Sequence, residues 1–385
     1  MTEIKVSLPT GELTLTLAAS DFCLDDLTAY AARQNPKRGF LFVSKLLAKY
    51  WPSQPLAMWK MHQYLAQQLA SSVKDSAVFV GMAEAAAGLG QGVYEAYLQQ
   101  SQVCQQHLFI HTSRYFLANQ QYLDFQEHHS HASQFYCYVP EQATLKTIFL
   151  HAQTLVLIDD EMTTGKTFVN FIQAYQRLNP ELTNIIIVCI LSFVDNQRQQ
   201  EIQQQCHIDI QFISGLSAGL QFEKNRDYCY KNVPNVKGNQ DCKRHLLSVN
   251  AGRLGIQGQL MINYDPLKQL TKSWQQGQKI LVLGTGEFIH LAFLVARKLE
   301  QQGWQVIVQS TARSPLSKGE AIREKMEFID NYHDNIPNYL YNVSPNQYEQ
   351  VLICHETPVC QSLTQLAQQL NASLLYYANG KILIS

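Results

Sequence analysis

Residues Leu155 to Thr167, with the sequence LVLIDDEMTTGKT, decide the fold class of this 385-residue chain. The apolar quartet Leu155 to Ile158 predicts a buried parallel strand, and the acids after it mark its carboxyl end. A loop of small residues then leads into a helix predicted from Thr167 to Leu178. Because ligands of parallel α/β sheets bind at the carboxyl ends of the strands, this segment predicts a binding site.

The loop has the chemistry of a phosphate-binding turn. Thr163 to Thr167 offer hydroxyls, a glycine that permits close approach, and the free backbone amides of a helix N-terminus. The carboxylates of Asp159 and Asp160 suit sugar hydroxyls or a divalent cation. A P-loop is excluded, because Asp160 stands five positions before Gly165, where that motif requires glycine.

Strands alternate with helices along the chain, and this alternation predicts parallel sheets in two α/β domains. The expected boundary lies near residue 245, after a loop rich in Asn, Lys and Gly, so the domains are 1–245 and 246–385. Strands are predicted at 77–81, 107–110, 135–139, 154–158, 184–193, 280–283, 304–308, 351–354 and 381–384. A hairpin is predicted over 6–17. Helices are predicted at 24–34, 40–50, 58–68, 93–100, 167–178 and 287–302.

Composition excludes several classes of function. The net charge of −1 argues against a broad basic face for duplex nucleic acid. No apolar run approaches the roughly 18 residues of a membrane span, and the alternating N-terminus has the pattern of neither a signal peptide nor an anchor. Nine cysteines without a CxxC pair fit thiols in a reducing compartment. We therefore expect a cytoplasmic protein without nucleic-acid or membrane partners.

Several segments in order resemble a known family. Leu155 to Thr167 resembles the 5-phosphoribosyl-1-pyrophosphate (PRPP) binding motif of type I phosphoribosyltransferases, with Glu161 where an apolar residue commonly comes after the acidic pair. Segments 35–45, 81–90 and 126–132 resemble the subgroup that carries a C-terminal TRSP domain. Residues 309–316, QSTARSPL, resemble the motif that names this domain, with Ala312 where the name has Thr.

The resemblance implies a site for PRPP. A hydrophobic strand followed by acids and a Thr/Gly/Thr loop would grip the ribose and its 5′-phosphate, and Asp159 and Asp160 would also hold Mg²⁺ through PRPP. The PRPP-binding residues would be Asp159, Asp160, Glu161, Thr163, Thr164, Gly165, Lys166 and Thr167. A second loop, with Met82, Ala83, Glu84 and Gly88, would hold the pyrophosphate.

The long polar stretch 113–134 lies where this family has a mobile catalytic loop. By the resemblance, Arg114 would contact pyrophosphate, while Glu127 and His129 would act in catalysis as a general base or as substrate contacts. Closure of such a loop would keep water away from an oxocarbenium-like transition state. A zinc site is the competing interpretation of the histidines around position 129, although these have no cysteine partners.

The second domain contains a Gly-Thr-Gly sequence after a predicted strand. Dinucleotide binding is disfavoured, because Ile289 occupies the third glycine position and no acid ends the next strand. A small-ligand crevice remains the expectation. Its residues would be Gly284, Thr285, Gly286, Arg313 and Ser314, with Arg313 recognising a phosphate or carboxylate. Whether this domain binds a ligand, catalyses or supports the first domain stays open.

The resemblance implies an α/β enzyme with a type I phosphoribosyltransferase-like sheet and a smaller Rossmann-like TRSP domain. The expected reaction transfers phosphoribosyl between PRPP or a nucleotide and a small acceptor, with pyrophosphate exchange, in the biosynthesis of a nucleotide-like metabolite. The alternative is a regulatory protein that binds PRPP or a nucleotide without catalysis. The resemblance also places relatives in tellurium-resistance and stress gene clusters, and because type I relatives commonly dimerise, a homodimer is a possible assembly.

Overall fold

The structure is a computed structural model. It describes residues 2–100, 103–126, 134–231, 238–239, 241–248, 251–319, 321–378 and 380–384. Among these residues, no helix combines the length and the apolar character that a bilayer crossing requires.

The first half of the described chain forms a seven-stranded sheet, with helices on its faces, and two separate antiparallel strand pairs. Its strands are β1 (Thr2–Leu8), β2 (Gly11–Leu17), β3 (Thr28–Ala32), β4 (Phe40–Ser44), β5 (Ser76–Gly81), β6 (Gln106–His111), β7 (Tyr122–Gln126), β8 (Gln134–Tyr138), β9 (Thr154–Met162), β10 (Asn184–Ser192) and β11 (Ile210–Lys224). Its helices are α1 (Leu24–Leu27), α2 (Pro55–Leu69), α3 (Ala87–Tyr97), α4 (Ala143–His151), α5 (Lys166–Leu178) and α6 (Asn196–Cys206).

The strand order of this sheet places its ligand crevice. The order is β1-β2-β11-β10-β9-β5-β6, and the five strands from β11 to β6 run parallel. From β5 the chain proceeds to β6 on one side, and then returns to β9 on the other side of β5. The carboxyl ends of β5 and β9 therefore flank a topological switch point, where open α/β sheets bind ligands.

The second half of the described chain forms a similar but smaller sheet of five strands and one separate antiparallel strand pair. Its strands are β12 (Lys279–Gly284), β13 (Gln305–Ser310), β14 (Lys325–Ile329), β15 (Pro337–Tyr341), β16 (Gln350–His355), β17 (Ala372–Ala378) and β18 (Lys381–Ile384). Its helices are α7 (Asp265–Leu270), a 3₁₀ turn (Thr271–Ser273), α8 (His290–Gln301) and α9 (Gln361–Leu370). The order β13-β12-β16-β17-β18 puts a second switch point between β12 and β16.

The helices predicted at 24–34 and 40–50 are wrong. After the single turn of α1, β3 and β4 form an antiparallel hairpin. Phe42 packs against Phe193 in the core of the first sheet, whereas Val43 packs against Leu316 and its neighbours in the second half. Because both faces of the hairpin are buried, its sequence lacks the polar alternation that marks a half-buried strand.

The other predicted elements agree with the structure within a few residues at their ends, apart from the helices predicted at 93–100 and 287–302. The former is α3, which starts six residues earlier, and the latter is α8, which starts three residues later. The stretch 113–134, which has no clear periodicity, contains β7, and β7 pairs with β8.

The two halves of the chain interlock. Ser53 forms a β-bridge with Val308, and Arg33 forms one with Leu316. Ala48 and Met58 belong to the same buried cluster as residues of β12 and α8. The first half therefore supplies part of the core of the second sheet, and the domain boundary near residue 245 stays a prediction.

Candidate active site

The first switch point opens into a cavity of about 190 Å³. Both halves of the chain line it. Its walls are the acidic end of β9 with the adjoining loop (159–168), residues 82–85 after β5, Arg114, five residues in and around the β3–β4 hairpin (Arg33, Arg38, Leu41, Lys49 and Tyr50), and three residues of the second half (Arg313, Ser314 and Leu316).

The register of β9 exposes the acids to the cavity. The pairing of β9 with β5 ends at Gly81 opposite Ile158, whereas its pairing with β10 continues to Ser192 opposite Met162. The end of β9 therefore projects past its neighbour on one side only. This overhang is why Asp159 and the two acids after it line the cavity.

The loop after β9 is shaped by Gly165. This residue has φ +71° and forms the N-cap of α5, in the left-handed region that favours glycine. The N-cap residue Gly165 has no side chain to cap this helix, and the Lys166 amide of its first turn makes a long hydrogen bond of 3.5 Å to Thr164 Oγ1. A helix N-terminus of this kind offers backbone amides to an anion. The carbonyl of Thr164 accepts a hydrogen bond from Arg198 Nε at 2.9 Å, which ties the loop to α6.

The acidic cluster has an altered charge balance. Burial, and then the neighbouring Glu161 carboxylate, raise the pKa of Asp160 to about 6. Glu161 itself pairs with Arg38, whose Nη2 lies 2.5 Å from Oε1. This ion pair offsets the charge that distinguishes position 161 from the usual motif. The Asp160 carboxyl therefore gains its proton closer to neutral pH than an ordinary aspartate does.

The loop after β5 contributes three of its four predicted residues. Met82, Ala83 and Glu84 line the cavity, and the peptide bond between Ala83 and Glu84 is cis. The Ala83 amide donates to Thr112 Oγ1 at 2.8 Å, which fixes the loop against the end of β6. Gly88 lies away from the cavity in α3, where an added Cβ would come within 2.7 Å of Ile289 Cγ2. Its small size serves packing between the halves.

Three cations approach the carboxylate of Glu84, whose side chain is 9% exposed. Lys49 Nζ makes an ion pair with Oε1, and Arg114 Nε and Arg313 Nε lie 3.8 and 3.9 Å from Oε2. Burial by itself raises the pKa of Glu84, but these charges outweigh it and hold the pKa below its usual range. Burial, together with repulsion from the two guanidinium groups, lowers the pKa of Lys49. We call Lys49, Arg114 and Arg313 the cation cluster.

The second switch point is filled by protein. Arg253, 1% exposed, donates to both oxygens of Glu356 at 2.8 and 2.6 Å, and to Glu287 at 3.0 Å. These glutamates lie just after β16 and β12. Glu287 also accepts from the Ser113 hydroxyl and from the Arg114 amide, at 2.8 and 2.6 Å. The crevice of the second domain is therefore an interface with the first half.

The predicted residues of the second domain separate into two groups. Arg313 and Ser314 line the cavity of the first switch point. Gly284, Thr285 and Gly286 are buried and do not line it. The Gly286 amide donates to Thr311 Oγ1 at 2.9 Å, and its carbonyl accepts from Ser310 Oγ. The five residues do not form one separate crevice.

The remaining predictions give a mixed outcome. All eight residues predicted to bind PRPP line the cavity, as does Arg114. Glu127 and His129 lie outside the described residues, together with the histidines of the alternative zinc site. Sequence reasoning missed Lys49 and Tyr50. A lysine inside the apolar run LLAKYW was the available indication, because a lysine is rarely buried without a charged partner.

The fold and the cavity define the class: an α/β protein with a type I phosphoribosyltransferase-like sheet. A family model described as phosphoribosyl transferase matches residues 27–219, half of the chain, and a model described as the TRSP domain C-terminal to that transferase matches residues 250–371. The chain belongs to this phosphoribosyl transferase family, and is thus an enzyme of the pentosyltransferase class.

Solved structures similar to this chain include several phosphoribosyltransferases. The APRTase of Giardia lamblia shares 14% identity over 49% of this chain and 92% of its own, with a TM-score of 0.33. The adenine phosphoribosyl transferase of Trypanosoma brucei shares 12% over 56% and 86%, with a TM-score of 0.35. The orotate phosphoribosyltransferase of Mycobacterium tuberculosis shares 13% over 50% and 90%, with a TM-score of 0.28. No curated protein matches the chain by sequence.

Proposed function

We propose that this enzyme transfers the phosphoribosyl group between PRPP, or a nucleotide, and a small acceptor, with pyrophosphate exchange. One observation carries the proposal: a single cavity at the switch point between β5 and β9 holds an acid-rich strand end, an uncapped helix N-terminus and the cation cluster. PRPP combines the matching groups, namely ribose hydroxyls, a 5′-phosphate and a pyrophosphate.

The proposed roles rest on the chemistry of each group. Thr163 to Thr167 bind the 5′-phosphate through backbone amides and hydroxyls, with Lys166 at the exposed edge of the loop. Asp159 and Asp160 accept hydrogen bonds from the ribose hydroxyls. Residues 82–84 and Arg114 hold the pyrophosphate. Each role matches a lining segment of the cavity.

In the proposed reaction the bond between ribose C1 and the pyrophosphate oxygen breaks, and its electron pair leaves with pyrophosphate. The acceptor forms a new bond to C1 through its lone pair and releases its proton to a base or to water. The residues that hold ribose and pyrophosphate keep ribose C1 aligned between the entering acceptor and the leaving pyrophosphate. The cations stabilise charge that builds up on the leaving oxygen. Glu127 and His129 remain the proposed general base or substrate contacts.

Magnesium forms part of the proposal. In the described part of the chain, no three His, Cys, Asp or Glu side chains converge as a metal site. The adjacent carboxylates of Asp159 and Asp160 nonetheless fit Mg²⁺, which binds through one or two carboxylates and completes its coordination with substrate oxygens and water. Bound there, Mg²⁺ would offset negative charge on the substrate.

The wider setting is proposed from the resemblance. The acceptor is a base or another small molecule, and the product a nucleotide-like metabolite of the kind inferred for tellurium-resistance and stress gene clusters. A cytoplasmic location and a homodimer belong to the same proposal.

The cavity also has an apolar surface that suits the ring of an acceptor. This surface is formed by Leu41, Tyr50 and Leu316.

Calorimetry with PRPP and Mg²⁺ tests the proposal. We expect saturable binding by the natural chain, and binding weaker by about 10- to 100-fold in Asp160→Asn, because a neutral amide replaces a charged acceptor of hydrogen bonds. Lys224→Gln, an exposed change away from the cavity, serves as control. A natural chain that does not bind PRPP would refute the proposal. Pyrophosphate release in a screen of bases and amines then identifies the acceptor.

A further inference from the structure

We propose that the second domain completes the active site by supplying Arg313 as a pyrophosphate-binding residue. This inference rests on the proposed function and deepens it. The motif that names the second domain is then part of the transferase site, and the first domain alone has an incomplete pyrophosphate subsite.

The position of Arg313 carries the first step of the argument. Its side chain is 7% exposed, lines the cavity that the PRPP-binding loop also lines, and lies 3.9 Å from the Glu84 carboxylate. Glu84 belongs to the loop proposed to hold pyrophosphate. A residue almost 230 positions away in sequence thus reaches the pyrophosphate end of the cavity.

The second step concerns how firmly the guanidinium is held. Its Cζ lies 4.7 Å from the ring centroid of Tyr115, and Tyr115 stacks on Tyr332 with centroids 4.3 Å apart. A second carboxylate, that of Asp334, lies 3.3 Å from Nη2. The preceding residue, Ala312, exchanges two backbone hydrogen bonds with Tyr339. Such support fixes the direction of the guanidinium before any ligand arrives.

The third step is the chemistry of the cluster. Lys49, Arg114 and Arg313 all approach Glu84, so one carboxylate draws three buried or half-buried cations together at the wall of a cavity. Pyrophosphate offers many anionic oxygens to a set of fixed donors. Arginine, with its planar fork of N–H groups, is suited to bind two such oxygens at once. Glu84 organises the cluster, and the ligand supplies the remaining anionic oxygens.

Calorimetric titration of the full chain with inorganic pyrophosphate and Mg²⁺ tests the inference. We expect Arg313→Gln to weaken pyrophosphate binding by about 10- to 100-fold, the loss typical of a charge-assisted hydrogen bond. Ribose 5-phosphate, which lacks pyrophosphate, should bind the variant within about twofold of the natural chain. Arg323→Gln, an exposed change in the same domain, is the matched control and should leave both affinities unchanged.

Two results would overturn the inference. One is pyrophosphate affinity that Arg313→Gln leaves unchanged. The other is an equal loss for pyrophosphate and ribose 5-phosphate, which would make Arg313 a structural residue. Arg313→Lys keeps the charge in case the glutamine variant does not fold, and should bind pyrophosphate with an affinity below that of the natural chain.

The outcome is separable from that of the proposed function. A natural chain that fails to bind PRPP refutes the proposed function. Binding of pyrophosphate that depends on Arg313 would support a composite anion site even then, since this titration involves neither ribose nor the 5′-phosphate.

Discussion

The two mostly parallel sheets of this protein have the same arrangement around their switch points, yet among the residues that the structure describes the first switch point opens into a cavity and the second does not. Between β5 and β9 the strand ends carry small residues, acids and a glycine-led helix, and the space between them is open. Between β12 and β16 the strand ends carry Glu287 and Glu356, and Arg253 fills the gap. Topology creates a crevice, but side chains decide whether a ligand or the protein itself occupies it.

The filled crevice between β12 and β16 also holds in place a residue that lines the open crevice between β5 and β9. Because Glu287 accepts from the Arg114 amide, the end of β12 holds the backbone of a residue that lines the cavity. Tyr115, next to it, stacks between Tyr332 and Arg313. The second sheet therefore helps to position residues at the wall of the first cavity.

The largest expected effect comes from a substitution that disrupts the ion pairs in the filled crevice between β12 and β16. Arg253→Met should lower the free energy of unfolding by about 3–5 kcal/mol, because two buried carboxylates lose the cation that they share. Urea denaturation measures this loss. Arg244→Met is the control, since Arg244 pairs with Glu141 at the exposed surface and should cost no more than about 1 kcal/mol. Equal losses in the two variants would contradict the comparison.

A smaller loss of stability is expected from a substitution in the loop that lines the open crevice between β5 and β9. Gly165→Ala should lower the free energy of unfolding by about 1–2 kcal/mol, because alanine is disfavoured in the left-handed region. The added Cβ would also press on Ile202, so the loop should shift and ribose 5-phosphate should bind more weakly. Calorimetry and urea denaturation measure the two losses.

Gly303→Ala separates strain from binding. Gly303 has φ +90°, and nothing lies within 4 Å of an added Cβ there. We expect a comparable cost in stability without loss of ribose 5-phosphate affinity. If both variants lost affinity equally, the shape of the 163–167 loop would not matter for the ligand.

The smallest expected effect is a dependence on pH. Because the pKa of Asp160 is raised to about 6, its carboxyl gains a proton below that pH and accepts fewer hydrogen bonds from ribose. Affinity for ribose 5-phosphate should fall as pH drops below 6, by at most about tenfold per pH unit for one proton. The 5′-phosphate titrates nearby, so the difference between the natural chain and Asp160→Asn isolates Asp160. Identical profiles would assign the effect to the phosphate.

The raised pKa of Asp160 has the opposite effect on the pH dependence of the free energy of unfolding. Since the native pKa of Asp160 lies above the unfolded value of 3.8, the native state binds more protons over the interval from there to about 6. The contribution of Asp160 to the free energy of unfolding therefore falls as pH rises through this interval and is constant above it.

Sequence patterns predicted the structure correctly where the residues that determine an element all lie in one contiguous segment. Leu155 to Thr167 combines an apolar strand, acids and a glycine-led helix within thirteen residues, and all of these lie as expected. The β3–β4 hairpin was mistaken for helices because each of its faces packs against a different half of the chain. Lys49 was missed because its partner Glu84 is distant in sequence.

The sequence by itself determined the parallel α/β class, the strand-to-helix loop at Gly165 and the resemblance to phosphoribosyltransferases, since each rests on local periodicity or on contiguous residues. Only the tertiary structure decided that Arg313 faces the first cavity and that Arg253 closes the second. Both outcomes depend on contacts between residues more than 30 positions apart, and the sequence pattern around an arginine does not record which carboxylate it will meet.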